Sequence, residues 1–315
     1  IIIDTIFMNI LITGGAGYIG SLLTKKLLDL NYKITIIDKL DWGIKPILQF
    51  IDNENLTVLK EDIRNFELMD KLIKENDLII QLAGIVGFPA CSADPINAQS
   101  INEDASNKIC EICDKYNKKI IYSSTGSIYG RIKDVVDENT KPNPLTLYGI
   151  TKYNAEKEVL KYGGVALRFA TIFGLSTRLR LDLLVNDFCY QAYHLKQIVL
   201  FEGHFRRSFL HVKDAANSIV HAVKKYDDIK GLAFNIGDET MNFTKREVAL
   251  KIKSFHNYTL IESEIGTDQD KRDYEISYAK FKETGFKIEY NIDRGIKEMF
   301  KVIPLIKFKN SFYNA

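Results

Sequence analysis

Tyr148 and Lys152 stand four residues apart in the stretch LYGITKYNAEKEV. On a helix that spacing turns both side chains to one face. A free tyrosine, with a pKa of about 10, is a poor base at neutral pH. A lysine ammonium beside it stabilises the phenolate and lowers that pKa. Such a phenolate suits the removal of a proton from an alcohol whose carbon gives up hydride to a nicotinamide. A Ser or Thr hydroxyl is then needed to hold the same substrate oxygen. The stretch IYSSTGSIYG, at 121–130, offers Ser123, Ser124, Thr125 and Ser127. Small hydroxyl residues at the C-terminal edge of a parallel strand face a ligand.

A frame must place these groups, and the first half of the chain reads as one. Strand-like runs at 9–13, 33–38, 56–62, 77–84, 118–124 and 164–169 alternate with helical periodicity at 19–30, 67–75, 97–116 and 147–162. That order predicts an α/β fold, a Rossmann-type doubly wound parallel sheet covered on both faces. Beyond 174 the pattern loosens into a loop, a helix near 181–195 and a short strand. A helix at 212–226 and a strand at 233–237 follow, then short mixed elements from about 240. The expected division is a nucleotide domain of 8–174 plus about 212–238, and a smaller mixed α/β substrate domain of 175–211 and 239–315. Residues 1–7 read as an extension outside both.

ILITGGAGYIGS places Gly14, Gly17 and Gly20 between the first strand and the first helix. Gly14 permits a tight turn, Gly17 lets a pyrophosphate approach the helix N-terminus, and Gly20 lets helix and strand pack closely. Tyr18 and Ile19 lie inside this loop and are placed with the cofactor contacts. Asp38 ends the second strand, where a carboxylate accepts the adenosine ribose hydroxyls and repels a 2′-phosphate. No arginine sits in the glycine loop, so NAD is expected rather than NADP. Asp62 and Ile63 end the third strand, suited to the adenine amino group and ring. Leu82, Ala83 and Gly84 end the fourth with room for the cofactor backbone.

The composition narrows the alternatives. A net charge of +2 over 315 residues, with no Lys/Arg block, argues against a nucleic-acid partner. No apolar run is long enough for a membrane span. The five histidines, at 194, 204, 211, 221 and 256, lack ligand spacing, so no metal is expected. Cys110 and Cys113 form a CxxC inside a helical stretch and read as two buried helix cysteines in a reducing, cytoplasmic setting.

Together, the glycine pattern, Asp38, Asp62, SSTGSIYG, Tyr148-xxx-Lys152, ALRFATIFG, FRRSFLHVKDAA and DKRDYEISYAKFKETGF resemble the extended short-chain dehydrogenase/reductase family, whose members include NAD-dependent nucleotide-sugar epimerases and dehydratases. The resemblance runs from residue 9 to about 300. It implies Tyr148 as base, Lys152 as its partner and ribose ligand, and Thr125 as the hydroxyl, with Ser123 and Ser124 on the cofactor side. Asn102 matches a family asparagine that positions backbone and cofactor. On the substrate side it implies a nucleoside-diphosphate sugar, its diphosphate held by Arg207 and Arg272. Arg178 and Arg180 are further phosphate or sugar candidates. Asp182 and Leu183 would open a helix over the nucleotide, and Thr171 stands where many relatives place Asn.

The resemblance also bears on the reaction. Family 4,6-dehydratases carry an acid/base pair where this chain has Gly126 and Ser127. Decarboxylases carry Glu, and 3,5-epimerising members Cys, at the Ser127 position. Equipment for hydride transfer without a second acid/base implies a 4-epimerase. The alternative is a 4-dehydrogenase releasing a keto-sugar for surface polysaccharide synthesis, and a non-catalytic NAD-binding regulator ranks last. Relatives dimerise through helices that correspond to 97–116 and 147–162, so a homodimer is expected, with the Cys110/Cys113 face as a candidate for its interface.

Overall fold

Apolar runs without alternation form the centre of the molecule, as expected for strands buried on both faces. The computed structural model describes residues 8–264 and 273–307. Seven strands make the main sheet: β1 (Asn9–Thr13), β2 (Lys33–Asp38), β3 (Leu56–Lys60), β4 (Leu78–Gln81), β5 (Lys119–Thr125), β6 (Val165–Phe169) and β7 (Ala233–Ile236). All are parallel, in the order β3-β2-β1-β4-β5-β6-β7. The order reverses between β1 and β4, and a crevice opens outside their C-terminal ends, where such sheets bind ligands.

Alternate residues of β1 feed two separate apolar layers. Ile10 and Ile12 pack with Leu23 and Leu27 of helix Gly20–Asp29 and with Ile219 of helix Val212–Lys224. Leu11 faces the other way, to Leu72 of Phe66–Glu75, Ile109 of Ala105–Lys115 and Val159 of Leu147–Lys161. A third apolar cluster gathers Phe173, Leu181, Val185, Phe209, Val248, Ile296 and Met299. It lies under a small sheet of 171–173, 206–211 and 242–244, with helices Leu184–Tyr190, Lys245–Phe255 and Ile292–Val302. Tyr274, Ile276, Tyr278, Phe281 and Phe286 pack with the first layer.

Several elements differ from the expected ones. The helix expected at 97–116 runs from Pro95 to Lys115, with a π-turn at Ser100–Asp104. That turn carries Asn102, whose side chain is tied to the loop after β4. The helix near 181–195 is α-helical only over Leu184–Tyr190, then π-helical to Leu195. Residues Arg131–Val136 form an unforeseen strand paired with Asp273–Ile276, a pairing between distant segments that no local pattern announces.

Candidate active site

The glycine loop is held from three directions. The Gly14 N–H donates to Ile37 O at 2.9 Å and the Gly17 N–H to Gly14 O at 3.1 Å. Thr13 Oγ1 accepts from the Leu82 and Ala83 N–H groups, both at 3.2 Å, locking the ends of β1 and β4 together. Gly14 has φ +73°, and a Cβ there would stand 2.8 Å from Ala83 N. A Cβ on Gly20 would stand 2.2 Å from Gly14 O, so only glycine allows the helix to begin here. Gly17 differs, because an added Cβ would meet only Gly14 O, at 3.1 Å, and otherwise open space. The bare backbone thus faces a cavity of about 630 Å³ at a helix N-terminus, a cradle that fits a dinucleotide pyrophosphate.

Asp38 lines the same cavity. Its carboxylate accepts the Leu40 N–H at 2.8 Å and the Ala16 N–H at 3.0 Å, and burial pushes its pKa up against those bonds. Asp62 is held differently. Arg64 donates to both its oxygens, at 3.0 and 2.7 Å, and these bonds pull its pKa down. Arg64 also reaches Asn97 Oδ1 at 2.8 Å, which fixes the edge of the crevice. Asn102 stands behind the wall, accepting from Ile85 N and donating to Ile85 O, both at 2.9 Å.

Tyr148 and Lys152 come from helix Leu147–Lys161, which Thr146 caps by accepting the Gly149 N–H at 3.2 Å. Both line the cavity, as do Ser123, Ser124, Thr125 and Ser127 at the end of β5. Thr125 Oγ1 accepts the Ser127 N–H at 3.1 Å and donates to Ser127 Oγ at 3.0 Å. Lys152 is 5 % exposed. Burial pushes its pKa down to about 7, against the pull of Glu156. A hydroxyl, a phenol and an ammonium therefore converge at one end of the crevice, with the glycine loop along it.

The loop after β6 closes the other wall. Tyr18 donates to Gly174 O at 2.6 Å, and burial pushes its phenol pKa up. Ser176 donates to Tyr18 O at 2.7 Å, and Thr177 to Ser21 Oγ at 2.8 Å. Asn186 accepts the Gly174 N–H at 2.9 Å and donates to Arg180 O at 2.8 Å. Arg178 lies 4.4 Å over the ring of Trp42, in the loop after β2, and burial lowers its pKa. Arg180 is paired with Asp182.

Of the expected site residues, Gly14, Gly17, Tyr18, Ile19, Gly20, Asp38, Asp62, Ile63, Leu82, Ala83, Gly84, Ser123, Ser124, Thr125, Ser127, Tyr148, Lys152, Thr171, Arg178, Arg180 and Leu183 line one cavity. Asn102, Gly126, Asp182 and Arg207 do not. A Cβ on Gly126 would stand 3.0 Å from Ile276 Cδ1 and 3.5 Å from Phe169 O. Arg207 is 2 % exposed and donates to Arg206 O at 2.9 Å. Arg272 lies outside the described residues. The Cys110/Cys113 face is corrected: both thiols are buried within the chain, in the layer beneath the sheet, and so face no outer surface. Trp42, Arg64 and the pair Glu156–Arg168 were not foreseen. A lone tryptophan just after Asp38, and an arginine within the apolar strand VALRF, were the available signals.

Residues 10–237 match the model of the NAD-dependent epimerase/dehydratase family. The UDP-glucose 4-epimerase of Bacillus subtilis is 29 % identical over 265 residues, covering 74 % of this chain and 78 % of that protein. The crystal structure of a Thermotoga maritima UDP-glucose 4-epimerase with UDP-glucose superposes with a TM-score of 0.83 at 25 % identity, covering 95 % and 99 %. A dTDP-glucose 4,6-dehydratase of Bacillus anthracis in complex with NAD gives a TM-score of 0.81 at 26 % identity, covering 93 % and 96 %. The fold is thus shared by relatives with different net reactions.

Proposed function

The chain belongs to the NAD-dependent epimerase/dehydratase family, and from that premise we propose that it is a nucleotide-sugar 4-epimerase. Bound NAD supplies the acceptor and later the donor of hydride at the sugar C4. Gly14, Gly17 and the helix start behind them would hold the pyrophosphate, Asp38 the adenosine ribose, and Asp62 with Ile63 the adenine. Tyr148 takes the proton of the C4 hydroxyl and returns it when the keto-sugar is reduced on its other face. Lys152 stabilises the phenolate, and Thr125 holds the C4 oxygen. Arg178 and Arg180 face the diphosphate or the sugar, with Arg272 as a further diphosphate ligand.

The observation that carries this reading is the chemistry beside Thr125. Elimination and C5 deprotonation need a second acid/base near the sugar. Ser127 offers a hydroxyl, which carries no titratable proton near neutral pH and so supplies no second acid/base. At Gly126 an added Cβ would stand 3.0 Å from Ile276, leaving little space for a carboxylate. Incubating the holoenzyme with UDP-glucose, without added NAD, should give an equilibrium mixture of C4 epimers. Stoichiometric release of a 4-keto-sugar would identify a 4-dehydrogenase instead and overturn the proposal.

Four buried free cysteines support a cytoplasmic setting. A homodimer through the helices at 95–115 and 147–161 is part of the same reading. Ile96 and Ile150 on those helices are 80 % and 41 % exposed. Sedimentation equilibrium showing only monomer would remove the dimer.

A further inference from the structure

Behind the hydroxyl cluster lies an ion pair that no step of the proton transfer uses. Glu156 and Arg168 have side chains only 1 % and 6 % exposed. Arg168 Nη2 donates to Glu156 Oε1 at 2.7 Å, and Nε to both carboxylate oxygens at 3.1 Å. Ser124 Oγ donates to Glu156 Oε2 at 2.5 Å. On the far side, Arg168 Nη1 donates to Tyr129 OH at 2.8 Å, and Tyr129 donates to Asn235 Oδ1 at 2.8 Å. Every polar atom of the pair is thereby occupied on one side or the other.

The pair has a direction. Glu156 follows Lys152 by one helical turn and Tyr148 by two, so the three share a face. Arg168 is the register partner of Ser124, the residue before Thr125. The negative end therefore adjoins Lys152 and the hydroxyl strand, and the positive end points away toward Tyr129. A buried ion pair does not outperform a well-packed apolar pair in holding strand to helix. Stability alone gives no reason for charge here.

Taking Tyr148 as the base, we infer that Glu156 is a positioning residue of this site. It anchors Ser124, and so the strand end that presents Thr125, and its negative charge, one helical turn from Lys152, favours the ammonium form beside Tyr148. The groups acting on Lys152 are Glu156 on its own helix, Tyr122 from β5, and Cys91 from helix Phe88–Ala93, while Tyr148 lies one turn earlier on the same helix and lines the same cavity. Burial pushes the Cys91 thiol up to about 11, leaving it neutral. Glu156 itself meets Arg168 from β6 and Ser124 from β5, with Glu138 beyond, where its Oε1 accepts the Asn235 N–H. Removing the Glu156 charge lets Lys152 lose its proton at lower pH. Tyr148 then keeps its own proton to higher pH.

The test is the double variant Glu156→Gln/Arg168→Met, loaded with NAD. Gln retains an acceptor for Ser124, and Met fills the arginine volume without leaving a charge unpaired. The readouts are the near-ultraviolet phenolate titration, with Tyr148→Phe as blank, and the pH–rate profile. The expected result is a rise of about one pH unit in both the titration and the acidic limb, and a roughly tenfold loss of rate at neutral pH that recovers in alkali. A folded variant with both unmoved overturns the inference. If the double variant does not fold, Glu156→Asp, its carboxylate drawn back by one methylene, should move the limb the same way by less. An unmoved limb there overturns the inference equally. Ser124→Ala should lower kcat with the limb in place, and an unchanged kcat removes the anchoring role. Full activity in Tyr148→Phe would instead sink the assignment of the base, a separate failure.

Discussion

The Lys152 ammonium lies 4.0 Å from the centroid of the Tyr122 ring, in a buried position that pushes its pKa from 10.5 down to about 7. Below pH 7 both folded and unfolded chains hold the proton, and the fold bears the full penalty of burying it. Between 7 and 10.5 the unfolded chain holds more protons, so this group makes stability rise with pH. Lys152→Met should remove that rise. The variant should melt higher than the parent at pH 7, with the gap closing by about pH 10, while activity falls at least roughly 10²-fold. Calorimetry of the cofactor-free protein at both pH values measures it. A gap that widens with pH would contradict the assignment.

Gly17 and Gly20 should fail in opposite ways. Gly17→Ala places its methyl toward the cavity, so the chain should fold with little change in Tm but bind NAD at least about tenfold more weakly. Gly20→Ala drives its methyl to 2.2 Å from Gly14 O, so it should lower Tm by several degrees before any binding is measured. Melting curves with and without NAD separate the two.

Thr125 both caps a turn and presents a hydroxyl. Thr125→Val removes the acceptor of the Ser127 N–H, which should cost about 1 kcal/mol of stability. It also removes the substrate-oxygen contact and should lower kcat by roughly 10²-fold. Thr125→Ser keeps both roles and should retain activity within about tenfold. A larger loss in Thr125→Ser than in Thr125→Val would show that the methyl group, and not the hydroxyl, matters.

Asp38 discriminates between dinucleotides in this reading. Asp38→Asn removes the charge that repels a 2′-phosphate, though it also disturbs an N–H contact from Ala16 or Leu40. NAD should bind about tenfold more weakly and the preference over NADP should narrow. Calorimetric titration with each dinucleotide checks it. An unchanged ratio of the two affinities would move the discrimination elsewhere.

The sheet was legible because its central strands are continuous apolar runs. β1 and β2 begin and end where their residues turn polar or glycine begins. The glycine loop and the Tyr148/Lys152 spacing were legible because each is a local pattern with one physical meaning. What escaped depends on contacts between distant segments. The π-turn at Ser100–Asp104 lies where Asn102 is bound to Ile85, and the strand Arg131–Val136 exists through its pairing with Asp273–Ile276. No local pattern singles out Glu156, since a carboxylate on a helix usually faces water. Its partner Arg168, inside VALRF, was the sign that one charge on that helix turns inward.

Trp42 is the only tryptophan in the chain and half exposed, at 48 %, where the guanidinium of Arg178 covers its ring. The protein therefore carries a single indole, and it lies on the wall of the cofactor crevice. A ligand that shifts Arg178, or that shields the indole from water, changes the emission of that one residue, which excitation at the red edge separates from the sixteen tyrosines. The fraction of molecules holding cofactor after purification can be read optically, without labels and without turnover.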